Sequence, residues 1–505
     1  MTTVDAILRD APAEICRPWL RHILRHDEWI ALAQAAVAEA RVLVALWADT
    51  AKIHALFLDP AGLTIVAVST PAEAGSYPAL SPFLPGAALY ERMIHDLWGH
   101  QATGAADVRP WLDHGHWLLS QPMSTRPGPP GQPGQPGQTG QPAVPNHFEP
   151  GDTMILPLGP IWGLLDEAAH LRLSVAGPTI RHAEARLGFT HKGTLALMRG
   201  KSPRIAARFA ARLSGDATVA HSVAFSRAVE AAMGVEVPAR AVALRIAMME
   251  IERVAAHLDT LAEVGRLADS PIVRSRCSLL RETLVRASDI AFGHRLMMDC
   301  AIPGGVAADI AESGSEAILR ALGDIASQLS SIRRLHDGAA LSSRLVGVGR
   351  AAGALAASLG AGGVVGRASG YAFDARIGFV SDYGQFAPRI AVRHDGDAAA
   401  RQHQRIFEIE ESLRLIGAAL DYLPDGPVTV VLPPVSGEGI GCAESVRGDV
   451  WHWLRLDHGQ IAAVFPRDPG WALWPLAERV LEGAAAEDID LIRASLALNA
   501  SGMDL

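Results

Sequence analysis

Residues Ser124–Asn146 read STRPGPPGQPGQPGQTGQPAVPN. This stretch offers almost no apolar side chains to a core, and its proline and glycine content favours extended, solvated chain. It is therefore read as a linker. Glycine at every third position also occurs in collagen, but about five triplets do not hold a triple helix by themselves. Working outward, the linker divides the chain into 1–123, a connection over 124–148, and 149–505.

Upstream, Arg41–Trp47 (RVLVALW), Ile53–Leu58 (IHALFL) and Leu63–Val68 (LTIVAV) are short β-prone runs, the last two separated by the turn-forming DPAG. Leu89–Trp98 (LYERMIHDLW) places Leu89, Met93, Ile94 and Leu97 at helical spacing, with Glu91, Arg92, His95 and Asp96 expected on the solvent side. A small α/β domain is expected there. Downstream, HLRLSV, a Gly-Pro turn and TIRHAEARL predict a β-hairpin, and Ser202–Leu423 carries long Ala, Leu, Arg and Glu segments with helical periodicity. The C-terminal part reads as a buried strand at Val428–Leu432, a glycine-rich turn SGEGIG, a strand at Trp451–Leu456 and a helix around Pro475–Glu482. The fold class is thus α+β: a small α/β domain, a Pro/Gly linker, and a mainly helical domain with a small sheet portion.

The 505 residues are 49% hydrophobic and 20% charged, enough apolar material for more than one core. A net charge of -9 argues against nucleic acid as a partner. Cys16, Cys277, Cys300 and Cys442 stand too far apart in sequence to form C-x-x-C pairs, so neither a zinc knuckle nor a disulfide framework is expected. The first residues are dotted with charge, unlike a signal peptide. Outside the linker, no uncharged stretch approaches the roughly 20 apolar residues of a membrane span. The protein is expected to be soluble or peripheral, with any membrane association coming through partners. There is no G-x-G-x-x-G after a strand, no Walker A and no HExxH.

Several phrases together carry a family resemblance: GPIWGLLDEAAHLRLSVAG (159–177), EARLGFTHKG (184–193), MEIERVAAHLDTL (249–261), AFGHRLMMDCAIPGGV (291–306), GRASGYAFDAR (366–376) and GEGIGCAESVRGDVWHWLRLDHG (437–459). In this order they resemble the large subunit of group 4 membrane-bound nickel-iron hydrogenases and the 49 kDa subunit of respiratory complex I. YERMIHDLWGH (90–100) and DVRPWLDHGHW (107–117) resemble the complex I 30 kDa subunit. Fusion of the two modules is typical of formate-hydrogenlyase-type large subunits.

The resemblance implies a metal site held by two C-x-x-C pairs, since soft anionic sulfur binds and tunes the two metals. The first pair precedes an A-H-S segment, here Ala220-His221-Ser222, which puts Ser214 and Ala217 at the ligand positions. The second pair falls in SLALNASGMDL, at Asn499 and Gly502. None of the four is cysteine, so no metal is expected in this chain and hydrogenase activity is expected to be absent.

Other positions follow from the same resemblance. The complex I histidine thought to bond the quinone headgroup falls at Trp162, whose indole stacks on a ring but only donates. A proton-transfer glutamate of the hydrogenases falls at Leu195. Glu444, Arg447 and His452 match a loop near the metal in relatives. They either line a residual cavity, or Arg447 pairs with Glu444 and braces the fold, which is the simpler expectation. His170 and His221 are either proton carriers or structural donors. Asp216 either holds a proton in the former pocket or caps the following helix, the cap being the simpler expectation.

Between Arg181 and Arg212 eight basic residues face one acid, Glu184. Arg204, Arg208 and Arg212 fall at i, i+4 and i+8, and with Arg199 and Lys201 they are expected to form either a solvated face or a docking surface. Ile302–Val306 is expected to be a tight reversal, and Glu250, Glu252, Arg253, Arg367 and Asp374 to form charge pairs within the bundle.

The resemblance implies a subunit of a membrane-associated respiratory or energy-converting oxidoreductase complex that couples electron transfer to ion translocation. Its expected partners are an iron-sulfur small subunit, which carries the cluster, and antiporter-like and other membrane subunits. The alternatives are a catalytically silent scaffold and a subunit that binds and reduces quinone.

Overall fold

The computed structural model describes residues 3–59, 61, 63–115, 117–125, 153–161, 167–379 and 381–505. Trp162 and the linker from residue 126 onward lie outside the described residues. The chain is mixed, 45% helical and 20% strand, so neither an all-α nor an all-β class applies. It divides into two compact units, Met1–Ala196 with Ser358–Gly360 and Met503–Leu505, and Leu197–Ala357 with Ala361–Gly502.

In the first unit, β1 (Ala13–Cys16), β2 (Trp19–Ile23), β3 (Val42–Ala48), β4 (Lys52–Asp59) and β5 (Thr64–Pro71) form one sheet in the order β1-β2-β5-β4-β3. The three β-prone runs are its antiparallel core, and β2 joins β5 in parallel. Helix α1 (His26–Ala38) buries Trp29 and Leu32, and α2 (Ala88–Trp98) buries Met93, Ile94 and Leu97. The expectation that Glu91 and Asp96 face solvent is corrected: both are buried. Glu91 accepts from the Leu80 and Ser81 amides at 2.6 and 3.0 Å, and Asp96 from the Trp111 and Leu112 amides at 2.7 Å each. These carboxylates satisfy buried backbone donors that have no ladder partner. A second sheet holds β6 (Met154–Leu158), β7 (His170–Ala176) and β8 (Thr179–Arg186), with the hairpin where the alternation put it.

In the second unit a short helix, α3 (Pro203–Ala210), leads to α4 (Thr218–Met233) and then to the bundle α5 (Ala239–Leu267), α6 (Pro271–Phe292), α7 (Glu312–Asp337) and, after the short α8 (Gly363–Ala368), α9 (Ala398–Asp421). Leu244, Ile251, Leu258, Leu280, Leu284, Ile325, Ile406 and Ile416 belong to its core, as helical spacing of apolar residues requires. Among the described residues no helix is long and apolar enough to cross a membrane.

Two expectations about the C-terminal part are corrected. Val428–Leu432 is not a buried strand. Val428 O accepts from Val306 N and Val430 N donates to Gly304 O, each at 2.9 Å, while Val431 is exposed and Pro433 and Pro434 end the pairing. SGEGIG is not a turn. It opens β9 (Gly437–Glu444), which pairs antiparallel with β10 (Asp449–Asp457), itself paired with β11 (Gln460–Arg467). Gly437, Gly439 and Gly441 alternate onto one face of β9. A Cβ at these positions would collide with the carbonyl oxygens of Ala232, Ala228 and Ala224, respectively. Those alanines fall at i, i+4 and i+8 of α4, so a stripe of small residues lies directly on a strand stripped of side chains. This close approach seats α4 against the sheet.

Candidate functional site

The turn before α4 carries Ser214 and Asp216, and α4 itself carries His221. The four-residue turn between β9 and β10 carries Arg447, and β10 carries His452. Ser445 ties that turn by donating from its Oγ to Gly448 O at 2.8 Å and by accepting from Arg447 N at 3.2 Å. Gly363, at φ +60°, approaches the Arg447 carbonyl too closely for any Cβ.

These elements bring one polar cluster together. The Arg447 guanidinium donates to Asp468 Oδ1 and Oδ2 at 2.9 and 3.0 Å, to Ser214 Oγ at 2.8 Å and to Asp216 Oδ1 at 3.1 Å, with Nε 2.9 Å from Asp216 Oδ2. Ser214 Oγ donates to Asp216 Oδ1 at 2.6 Å. Asn499 Nδ2 donates to Ser214 Oγ at 3.3 Å, and Ser501 Oγ donates to Asn499 Oδ1 at 2.6 Å. His221 Nε2 lies 3.1 Å from Asp468 Oδ2 and its Nδ1 3.1 Å from His452 Nε2. A carboxylate only accepts, so Nε2 of His221 donates to Asp468, while Nδ1 of His221 and Nε2 of His452 share one hydrogen bond.

The charges compensate one another. Burial opposes ionisation of Asp468, but Arg447 and His221 hold its pKa well below the usual carboxylate range. Burial opposes the charge of Arg447 too, and Asp216 and Asp468 overcome it. Burial, and then His221, push His452 well below its ordinary value, leaving a neutral ring.

Two expectations fail here. Arg447 does not pair with Glu444, because its turn aims it at Asp468 and Asp216 while Glu444 points into the bundle. Asp216 does not cap α4. The N-cap position is Ala217, and the amides of Val219 and Ala220 are satisfied from α5 by Glu252, at 2.6 and 3.0 Å. Burial pushes Glu252 up to about 8 against these donors, with Asp216 adding to the rise.

Glu444 belongs to a second, buried charge network. Its Oε1 accepts from Arg367 Nη1 at 2.8 Å and its Oε2 from the Ala375 amide at 3.0 Å. Arg367 also meets Glu408 at 2.9 Å and Asp374 at 3.2 Å. Arg376 binds Asp374 at 2.7 Å and Glu250 at 3.2 Å, and Arg253 binds Glu250 at 3.1 Å. The expected pairs Glu250–Arg253 and Arg367–Asp374 are therefore present. Arg253 also donates to the carbonyls of Glu444 and Ser445, at 2.6 and 2.9 Å, tying the network to the Arg447 turn.

The remaining candidates lie elsewhere. His170 begins β7 opposite Arg186, and burial, then Arg186, lower its pKa. Arg199, Lys201, Arg204, Arg208 and Arg212 are all exposed. Arg204 reaches Thr429 Oγ1 at 2.9 Å. Arg212 lies past the end of α3 and pairs with Asp299 at 2.8 Å, so the helical face itself carries Arg204 and Arg208. Sequence reasoning missed Asp468, Ser501, Glu408, Arg376 and the capping role of Glu252. Asp468 alone had a local signal, an Asp-Pro step before a helix.

The family described as "Respiratory-chain NADH dehydrogenase, 49 Kd subunit" matches residues 274–436, and that described as "Nickel-dependent hydrogenase" matches residues 192–259. An NADH-quinone oxidoreductase subunit of Geobacillus thermodenitrificans is 30% identical over 61% of this chain and 86% of its own. The chain belongs to the 49 kDa subunit family. Formate hydrogenlyase subunit 5 of Escherichia coli is 28% identical over 85% of this chain and 77% of its own. A chain from the structure of the membrane-bound sulfane sulfur reductase, an archaeal respiratory membrane complex, superposes with a TM-score of 0.65 at 25% identity, covering 70% of this chain and 99% of that one.

This member of the 49 kDa family does not fit a nickel-iron centre. Ala217 and Gly502 offer no donor atom, and Ser214 and Asn499 are neutral oxygen and amide groups already bonded within the cluster. A Cβ at position 502 would collide with the Asp468 carboxylate, so the space for a fourth ligand is filled. What the cluster provides instead is a buried guanidinium locked between two carboxylates.

Proposed function

We propose that this chain is a subunit of a membrane-associated respiratory or energy-converting oxidoreductase complex that couples electron transfer to ion translocation without a nickel-iron site of its own. Its relatives are subunits of formate hydrogenlyase, hydrogenase-4 and NADH-quinone oxidoreductase, which supports the assembly. The observation that carries the second half is the Arg447 cluster, in which Ser214 and Asn499 are hydrogen-bonded and the Asp468 carboxylate fills the space a side chain at Gly502 would need.

In this reading the α/β module over 1–123 and the hydrogenase-like module over 149–505 act as one peripheral subunit on the cytoplasmic side of the inner membrane. The exposed Arg199, Lys201, Arg204 and Arg208 receive an iron-sulfur small subunit, where positive charge steers association and raises the cluster's potential. Antiporter-like membrane subunits complete the complex, and a quinone is the electron acceptor compatible with the family. The test is affinity purification of the chain from its native membranes. Iron and membrane subunits should come with it, without stoichiometric nickel; a chain recovered alone, or one carrying nickel, overturns the proposal.

A further inference from the structure

The buried network around Arg367 sets four carboxylates, Glu250, Asp374, Glu408 and Glu444, against three guanidiniums, Arg253, Arg367 and Arg376. All seven are at most 2% exposed. Buried charges that lack a partner are costly, and the usual relief is to bind a proton.

The geometry says which carboxyl is short of compensation. Glu250 has two guanidiniums, Arg253 and Arg376, and accepts from Tyr383 Oη and Ser412 Oγ at 2.7 and 2.6 Å. Asp374 has Arg376 as a two-pronged partner through Nε and Nη2, at 3.0 and 2.7 Å. Glu408 accepts from Arg367, from His257 Nε2 at 3.0 Å and from Gln404 Nε2 at 3.0 Å. Glu444 has one backbone amide and a third share of Arg367. Across the ladder it faces Asp449, whose own charge is matched by Arg467 at 3.1 Å. Arg405 gives its donors to the carbonyls of Arg401 and Ser495 and contacts none of the four carboxylates.

We propose that Glu444 is a buried proton-binding site, the one carboxyl of this network that takes up and releases a proton while the other three stay ionised. On release the carboxyl O–H bond breaks, the proton passes to solvent water, and the seven-residue network goes from neutral to a single negative charge. Burial first, and then Asp374 and Asp449, push Glu444 up to about 7 against Arg367 and Arg253. Glu444 is the last residue of β9, immediately before the Arg447 turn, so this protonation acts three residues from Arg447, through carbonyls that Arg253 already holds.

This inference goes beyond the coupling role and does not need it, since it concerns the chain by itself. The experiment is infrared spectroscopy of the purified chain through the neutral pH range. The wild-type spectrum minus that of Glu444→Gln is expected to hold a protonated-carboxyl stretch that fades as pH rises, on top of the band of Glu252, which burial also pushes up to about 8. No such difference overturns the assignment. Should the variant not fold, carbon-13 labelling of glutamate in the wild-type chain decides: two buried carboxyls titrating near neutrality, Glu252 and Glu444, support the site, and one alone removes it. Failure to co-purify with membrane subunits leaves these results untouched, so the two proposals fail separately.

Discussion

Arg447 and Asp468 meet through two parallel hydrogen bonds, 2.9 and 3.0 Å long, with both side chains fully enclosed. A two-pronged pair of this kind fixes orientation as well as charge. With Asp216 on its other side, Arg447 links the turn before α4, the β9–β10 turn and the segment after β11. Removing the guanidinium while leaving two carboxylates in place should therefore be severe. Arg447→Met is expected to lose about 3–5 kcal/mol, and Arg447→Lys less, since an ammonium keeps the charge but not the fork. Chemical denaturation reads this directly. A loss in Arg447→Met under about 1 kcal/mol, the range of exposed pairs, would contradict a sealed cluster.

The same pair bears on whether the ligand set of nickel-iron relatives can be built into this chain. Placing cysteine at 214, 217, 499 and 502 supplies four thiols, but the fourth side chain points into Asp468. Elemental analysis after nickel loading should find no stoichiometric metal in the fourfold variant, and full occupancy would show that Asp468 yields readily.

The glycines of β9 make a separate test of packing. Gly441→Ala places a methyl against the backbone of α4 and should destabilise by about 1–3 kcal/mol. Gly323, inside α7 with open space around its missing Cβ, makes the contrast. Gly323→Ala should stabilise by about 0.5–1 kcal/mol, the helix-interior gain of alanine over glycine. Thermal unfolding of the two variants should move in opposite directions.

Much of this is legible in the sequence, and what is not has physical causes. The strands of the first unit announced themselves through β-branched and apolar runs, and the bundle helices through their period, because those signals are local. SGEGIG misled because glycine is read as a turn former, whereas here it removes side chains to admit a helix from a distant part of the chain. Glu91 and Asp96 misled because polarity predicts exposure except where a carboxylate is recruited by distant amides. Ser214 and Asn499, paired by the resemblance, meet through one hydrogen bond. Asp468 escapes a sequence reading because a single aspartate carries no pattern until the fold sets it beside Arg447.

The basic face of α3 predicts an interaction. Reversing Arg204 and Arg208 to glutamate removes two exposed cations whose contacts, a hydroxyl of Thr429 and a 3.9 Å approach to Asp299, contribute little to the fold. Thermal stability should hardly change, while recovery of the proposed iron-sulfur partner with the chain should fall steeply at low salt, where the new repulsion is least screened. Unchanged co-purification would remove the docking role.

Glu250 gives the pH dependence with its sign. Burial alone would raise its pKa, but Arg253 and Arg376, with the hydroxyls of Ser412 and Tyr383, bring it down from 4.5 to about 2. A carboxyl with a depressed pKa in the folded state stabilises the protein above its unfolded value, and that contribution disappears as pH falls through the folded one. The wild-type protein should therefore exceed Glu250→Gln in stability at neutral pH, with the gap constant down to about pH 4.5 and closing between there and about pH 2. Denaturation midpoints of both proteins across that range measure the gap. Asp374, also held to about 2, titrates in both proteins but shares Arg376 with Glu250, so the difference reports Glu250 together with its influence on Asp374. A gap that stays constant through the acid range would mean that Glu250 is already neutral in the folded protein, and the network would then have to place its proton there instead.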